Sequence, residues 1–168
     1  NYAVGLMKEG FLWAILWSFV ITILSVAAIV FFSALTAYYI TRVKTWWTSA
    51  LYYLFVFSMV IPFQMVMFPT VKIADMLNLN NPIGIVVLYL GFGSGLSVFM
   101  FAGFVKSIPL DIEEAAMIDG CSPLQNYFRV VLPMLKPTAV TVAILNAMWV
   151  WNDYLLPYLV IGLSTKYK

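Results

Sequence analysis

The chain has few of the side chains on which catalysis and metal binding depend, because its 168 residues include no histidine and a single cysteine, Cys121. One cysteine cannot form a disulfide within the chain, and without histidine a His/Cys metal site is excluded. An intramembrane enzyme would need a nucleophile with its base, or a metal pair, and the lack of histidine removes the commonest arrangements. We therefore expect no metal, no cofactor and no catalytic residue.

Charge is also scarce. Only 10% of the residues are charged and 64% are apolar, against roughly 25% and 45–50% in soluble domains. This composition excludes an ordinary soluble domain and indicates a membrane protein that contacts the lipid bilayer. The net charge is only +2, and the basic residues are scattered rather than clustered on one face, so no nucleic-acid partner is expected.

Long uncharged runs are what the chain has in abundance. Three of them, of 32, 27 and 30 residues, cover 10–41, 45–71 and 76–105, and each exceeds the roughly 20 residues that cross a bilayer as a helix. A fourth run, 137–152, reaches spanning length only by continuing past Asp153. Pro62, about midway along the second run, predicts a kink there.

These runs predict an all-α polytopic helical bundle that forms a single transmembrane domain over 1–168. The predicted spans are at about 11–40, 48–70, 83–105 and 137–160, with a charged loop at 106–136. Because the chain begins without methionine and stops soon after its fourth run, we expect a fragment that lacks its first and last spans.

The distribution of lysine and arginine predicts the orientation. Among the loops flanked by spans on both sides, those around Arg42 and within 106–136 carry five basic residues, whereas the loop that holds Lys72 carries one. Short basic loops stay on the cytoplasmic side of a membrane. The 106–136 loop is therefore expected in the cytoplasm.

This loop holds 7 of the 16 charges of the chain and has a helical pattern of its own. Asp111 and Glu114 have the spacing of a capping box for a short helix over 112–118. Gly120 predicts a left-handed turn after it. Ser122 followed by proline predicts the start of a second helix, which Pro133 would end.

The second helix is expected to be amphipathic. Its apolar side would carry Leu124, Tyr127, Phe128 and Val131, and its polar side Gln125, Asn126 and Arg129. Asp119 lies at the end of the first helix, where the helix dipole disfavours a negative charge. We expect a compensating cation from Arg129 or from a partner protein.

The loop resembles the EAA motif of binding-protein-dependent ABC importer permeases. The matching residues are Glu114-Ala115-Ala116, then Gly120 after three residues, then Val130-Val131-Leu132-Pro133 after nine more. Val130 stands where isoleucine is commoner. The flanking stretches at 104–109, 118–120 and 151–155 are similar to the carbohydrate branch of that family, which includes the maltose and glycerol-phosphate type of permease.

The resemblance implies a non-catalytic permease subunit of an ATP-driven importer in the inner, cytoplasmic membrane of a prokaryote. Its implied solute is a sugar or sugar derivative. The implied partners are two ATP-binding subunits that hydrolyse ATP, a second permease subunit in a homo- or heterodimer, and an extracytoplasmic solute-binding protein. The residues implied to couple the permease to the ATPase are Glu114, Ala115, Ala116, Asp119 and Gly120.

Three polar residues are candidates for the substrate pathway: Gln64, Asn152 and Asp153. Asp153 is as compatible with a gate or a contact with the binding protein as with a contact to the sugar, and a solvated helix end is the alternative. The alternative solutes are an amino acid or phosphate, because the EAA pattern is shared across importers. A channel or secondary transporter would need an ionisable residue in the middle of a span, and the uncharged runs contain none.

Overall fold

The computed structural model describes residues 11–162, and every regular element in that part of the chain is helical. The predicted all-α fold is confirmed. The elements in chain order are α1 (Phe11–Arg42), α2 (Trp46–Ser58), α3 (Phe63–Met76), α4 (Pro82–Ser107), α5 (Leu110–Ile118), α6 (Pro123–Asn126), a π-helical turn (Tyr127–Val131), α7 (Leu132–Met134), α8 (Lys136–Asn152) and α9 (Leu155–Val160).

The bundle is built around α1 and α4, with α8 packed against both and α2 against α4. Small residues allow this close packing, which matters because lipid supplies little hydrophobic drive for helices to associate. Ala34 and Ala37 of α1 are buried with Phe101 of α4 in one core cluster at the end near the charged loop. A second cluster, towards the other end, contains Ile29, Tyr89 and other apolar side chains.

Gly93 marks the point where three of these helices meet. A Cβ atom at residue 93 would lie 2.6 Å from Ile29 Cδ1 of α1 and 2.8 Å from Asn146 Oδ1 of α8. Any larger residue would therefore force the Ile29 and Asn146 side chains to shift. The buried Asn146 amide donates to Ser97 Oγ of α4 at 3.1 Å and to the Val142 carbonyl at 2.9 Å, which satisfies a polar group inside the bundle.

Two helices, α1 and α4, are each long and apolar enough to cross a membrane. The region of the expected second span, 48–70, consists of α2 and α3, which meet at an angle of 109°. Pro62 lies at this junction in an extended conformation and immediately precedes α3. The interruption predicted at Pro62 is therefore present, and it is a sharp break between two helices.

The region of the expected fourth span, 137–160, is also interrupted. Helix α8 ends at Asn152, Asp153 is extended, and α9 begins at Leu155. The Asp153 carboxylate accepts hydrogen bonds from the backbone N–H groups of Leu155 at 3.0 Å and Leu156 at 3.4 Å. Such side-chain capping starts a new helix, so Asp153 divides the region rather than lying within one continuous helix.

Candidate coupling site

The charged loop folds as a helical hairpin in which α5 is followed by a turn and then by α6 with the π-helical turn. Helix α5 begins at Leu110, directly after Pro109, and no side chain caps its first turn. The capping box predicted for Asp111 and Glu114 is therefore wrong. Proline ends the preceding extended segment and lets the helix start earlier, so that Asp111 lies inside the first turn, where a carboxylate interacts favourably with the helix dipole.

The turn of the hairpin has the conformation that its sequence predicts. Gly120 has φ of +89°, in a region that L side chains rarely adopt. Its N–H donates to the Met117 carbonyl, and the N–H of Cys121 donates to the Ala116 carbonyl, both at 3.0 Å. These bonds close the end of α5 as glycine-based helix caps do.

The second helix starts as expected. Ser122 Oγ accepts from the Gln125 N–H at 3.3 Å, and Gln125 Oε1 accepts from the Ser122 N–H at 2.9 Å. Pro123 occupies the first helical position, where the missing N–H carries no penalty. This reciprocal pair is a capping box, and it fixes the direction in which the chain leaves the turn.

Beyond this start the second helix differs from the expectation. The Leu132 N–H donates to the Tyr127 carbonyl five residues earlier, so the turn is wider than an α-helical turn. Pro133 does not end the helix, since it continues as α7, and the chain bends by 71° where α8 begins. The helix thus extends only one residue beyond Pro133, to Met134.

The wide turn also changes which side chains face the bundle. Tyr127 and Val131 are buried as predicted, but Leu124 is 64% exposed and Phe128 42% exposed. Asn126, predicted on the polar outer side, is fully buried. The expected apolar face is thus correct only at Tyr127 and Val131, because the regular 3.6-residue period assumed for it is broken by the π-helical turn.

The buried polar centre of the hairpin is Glu113, whose side chain is only 3% exposed. Arg42, at the end of α1, donates from Nε to Glu113 Oε1 at 2.8 Å and forms an ion pair with it. The Tyr38 hydroxyl donates to Oε2 at 3.0 Å, and the Asn126 amide approaches Oε2 at 3.4 Å. One carboxylate therefore joins α1, α5 and α6.

Charge-assisted hydrogen bonds of this kind keep a buried ion pair stable only when the remaining polar atoms are also satisfied. Arg42 meets this condition by donating a further bond, of 3.1 Å, to the Ile108 carbonyl. The Tyr127 ring packs 5.0 Å from that of Tyr38, and burial raises the pKa of Tyr127. The connection between α1 and the hairpin is thus both polar and aromatic.

Comparison with known proteins identifies what kind of protein contains this hairpin. Residues 29–166 match the model of the family described as the binding-protein-dependent transport system inner membrane component. The chain belongs to this family. Together with its apolar helices, membership makes it a multi-pass protein of the prokaryotic inner membrane.

Relatives within the family include transport permeases with named solutes. The probable starch degradation products transport system permease protein AmyC of Thermoanaerobacterium thermosulfurigenes is 47% identical over 143 residues, 85% of this chain and 52% of the relative. The multiple sugar-binding transport system permease protein MsmG of Streptococcus mutans is 37% identical over 156 residues, 91% and 55%. The melibiose/raffinose/stachyose import permease protein MelC of Bacillus subtilis is 34% identical over 139 residues, 80% and 50%. The chain therefore spans about half the length of these permeases.

The residues predicted to couple to an ATPase lie on α5 and the turn that follows it. Ala116 is half-buried, and the other four are exposed: Glu114, Ala115, Asp119 and Gly120. Within residues 11–162 the single salt bridge is that of Arg42 with Glu113, so the pairing expected between Asp119 and Arg129 is not formed there. Asp119 instead ends α5 with its charge exposed.

Glu113 is the buried, ion-paired residue that the sequence prediction missed. Its partner Arg42 lies 71 residues away in the chain, so their pairing has no local signal. Because adjacent residues of a helix diverge by about 100°, Glu113 and Glu114 are expected to face different directions, but this spacing does not indicate which of them is buried.

The three residues predicted for the substrate pathway are not brought together by any hydrogen bond described within 11–162. Gln64 is exposed on α3, and Asn152 is exposed with its amide donating to the Met148 carbonyl of its own helix at 2.7 Å. The Asp153 carboxylate accepts from the Tyr89 hydroxyl at 3.0 Å besides capping α9. A cavity of about 370 Å³ between α4 and the break of α2 and α3 is lined by none of the three.

Proposed function

We propose that the chain is part of the transmembrane permease subunit of an ATP-driven importer for a sugar or sugar derivative. The observation that carries this proposal is the two-sided hairpin, whose inner side is bonded to α1 through Glu113 while its outer side presents the motif residues. The relatives named above favour a sugar over an amino acid or phosphate, since their names specify starch degradation products, multiple sugars and raffinose-type oligosaccharides.

The outer side of the hairpin would dock on an ATP-binding subunit. The small side chain of Ala115 on the exposed surface of α5 permits a close approach by another protein. Glu114 beside it is exposed and has no salt-bridge partner within residues 11–162, so its carboxylate is available to a cation or hydrogen-bond donor. Ile118, 87% exposed at the tip, supplies the apolar contact that an interface centre needs.

The inner side would transmit the movement. When the ATP-binding subunits close, the hairpin moves as a rigid body, and the attached helices tilt to alternate the access of the cavity. Chain continuity links the hairpin to α4 and α8, and the Arg42–Glu113 pair adds α1. The three packed helices of the bundle thus receive the same displacement.

The proposed assembly contains two ATP-binding subunits, a second permease subunit and an extracytoplasmic solute-binding protein. ATP is hydrolysed by the ATP-binding subunits, and this chain acts without catalysis. Gln64, Asn152 and Asp153 remain the proposed pathway residues. Of these, Asp153 suits a gate best, because its hydrogen bond with Tyr89 and its cap on α9 would have to open together.

Two substitutions on the outer side test the proposal in the full-length permease with its partners. Glu114→Lys reverses the charge offered to the ATP-binding subunit, and Gly120→Pro prevents the positive φ of the turn, which proline cannot adopt. Both should abolish co-purification of the ATP-binding subunits and reduce uptake of labelled oligosaccharide, while membrane insertion is retained.

The matched control is Asp75→Lys, which makes the same charge change on an exposed carboxylate of α3. This variant should keep the ATP-binding subunits bound. Normal uptake by both Glu114→Lys and Gly120→Pro would refute the coupling role. If the unmodified permease took up an amino acid or phosphate and no oligosaccharide, the coupling role would stand and the proposed solute would be wrong.

A further inference from the structure

A basic recess lies at the loop end of the bundle, between the end of α1, the end of α4 and the start of α5. It consists of two adjoining cavities of about 450 and 230 Å³, both lined by Thr41, Lys44 and Lys106. The larger is bounded by the segment that leads into α5, and the smaller by the first turns of α2. The larger falls within the range of about 300–1,000 Å³ that ligand sites occupy.

Within residues 11–162 no carboxylate pairs with the lysines of this recess. The only salt bridge described there is that of Arg42 with Glu113, and no acidic residue lines either cavity. In this part of the chain, Lys44 and Lys106 are therefore available to an external anion. Lys106 Nζ lies 4.7 Å from the centre of the Tyr52 ring, and this contact holds the ammonium group at the cavity wall without cancelling its charge.

Thr41 gives a second, independent indication of a ligand. Its Oγ1 is buried and has no hydrogen-bond partner in the described part of the chain. Four other buried polar atoms in the described residues share this state, but Thr41 is the one that lines both cavities of the recess. Because buried polar groups are normally hydrogen-bonded, a ligand oxygen that reached this hydroxyl would give it a partner.

The surroundings of the recess indicate where such a ligand comes from. Trp46 and Trp47 at the start of α2 are stacked, with ring centres 3.9 Å apart, and are 67% and 65% exposed. Exposed tryptophans at the end of an apolar helix favour the headgroup level of a membrane. Farther along α2, Leu54 and Phe57 are exposed and apolar, so they suit the acyl chains just below.

We propose that this recess binds the phosphate of an anionic phospholipid of the cytoplasmic leaflet, with Lys44 and Lys106 as its cations and the Thr41 hydroxyl as its donor. Basic pockets between membrane helices on the cytoplasmic side are suited to anionic headgroups. Arg42 also lines the larger cavity, but its Nε and Nη2 atoms are bonded to Glu113 and to the Ile108 carbonyl, so the proposal assigns the cations to the two lysines. The site is independent of the solute that the permease carries.

The test uses the full-length permease with its partner subunits, purified in detergent and mixed with phosphatidylglycerol or phosphatidylcholine of identical acyl chains. Bound lipid is counted by native mass spectrometry. The wild type should retain phosphatidylglycerol in preference. Lys44→Gln combined with Lys106→Gln should weaken this retention roughly 25-fold, at about fivefold for each basic residue. Thr41→Val should weaken it about fivefold, the effect of one hydrogen bond.

Two further variants keep the result interpretable. Arg129→Gln with Lys136→Gln removes the same two charges from exposed positions in the hairpin region and should retain the lipid. Lys44→Arg with Lys106→Arg should also retain the lipid. Retention by the Arg pair together with loss in the Gln pair would show that positive charge is required. Equal retention by the Gln pair and the wild type, or equal loss in the Arg129 and Lys136 control, would overturn the proposal. Displacement of the lipid by millimolar inorganic phosphate would overturn it in favour of a soluble anion.

Discussion

The two faces of the helical hairpin contain the same kinds of residue in opposite environments. The inner face includes Glu113 and Asn126, both buried and hydrogen-bonded. The outer face includes Glu114 and Gln125, both exposed. Glu113 is adjacent to Glu114 in the chain, and Asn126 is adjacent to Gln125. Each inner residue and its outer neighbour are chemically alike, so their different burial follows from the rotation of about 100° between adjacent helical residues.

The comparison shows that adjacent side chains of one short helix lie in different environments. The inner face connects the hairpin to α1 through the Arg42–Glu113 pair. The outer face is exposed, and we propose that it binds another protein. Substitutions on the inner face should therefore affect stability first, whereas those on the outer face should affect association with little effect on stability.

The largest effect is expected from Arg42→Met, which leaves the Glu113 charge buried without its cation. Breaking a buried pair from one side costs about 3–5 kcal/mol, measurable as a lowered melting temperature of the full-length permease in detergent. The outer-face control, Glu114→Gln, should change stability by less than about 0.5 kcal/mol.

Removal of both partners provides the second arm of this experiment. Arg42→Met combined with Glu113→Leu should recover most of the lost stability, because no charge then remains buried. If Arg42→Met alone melts like the wild type, the two faces do not differ in the way that we describe.

An intermediate effect is expected from Asn126→Asp. This change places a second carboxylate beside Glu113 Oε2, which the Asn126 amide approaches at 3.4 Å. Burying like charges together should cost roughly 2–3 kcal/mol.

Gln125→Glu is the outer-face match for this substitution. It keeps an acceptor for the Ser122 N–H, now bonded at 2.9 Å, at the start of a helix where negative charge is favourable. Its melting temperature should stay close to that of the wild type. Equal destabilisation by the two changes would contradict the burial of Asn126.

The smallest effect is expected from Gly120→Ala at the turn between the two faces. A side chain there meets no atom within 4 Å but must adopt φ of +89°, which costs about 1–2 kcal/mol. Gly103→Ala in α4 also meets no atom within 4 Å and has an ordinary helical conformation. It should be neutral or slightly stabilising, and the difference in melting temperature between the variants isolates the backbone conformation.

Much of the architecture could be predicted from local signals. The apolar runs indicate the all-α membrane fold, and the motif spacing indicates the family. Gly120 and the Ser122–Gln125 capping box adopt the predicted conformations because their determinants lie within a few residues. The break at Pro62 is likewise encoded by the residue itself.

The features that escaped prediction depend on groups distant in the chain or on a broken period. Glu113 pairs with Arg42 across the bundle, and Asp153 is bonded by Tyr89, 64 residues earlier. Nothing near either acid in the sequence shows these contacts. The inward position of Asn126 follows from its contact with Glu113 and from the π-helical turn beside it. Neither can be predicted from a regular 3.6-residue period.

The π-helical turn at Tyr127–Val131 has a consequence for length variation in this segment. Its backbone hydrogen bond joins residues five apart instead of four, so this turn contains one residue more than an α-helical turn. Deleting one residue there would let the segment close as an ordinary helix. The hairpin would then rotate about its axis by roughly 100° relative to α8, and Glu113 would turn away from Arg42. Homologous chains that keep this ion pair should therefore tolerate substitutions at 127–131 more readily than deletions.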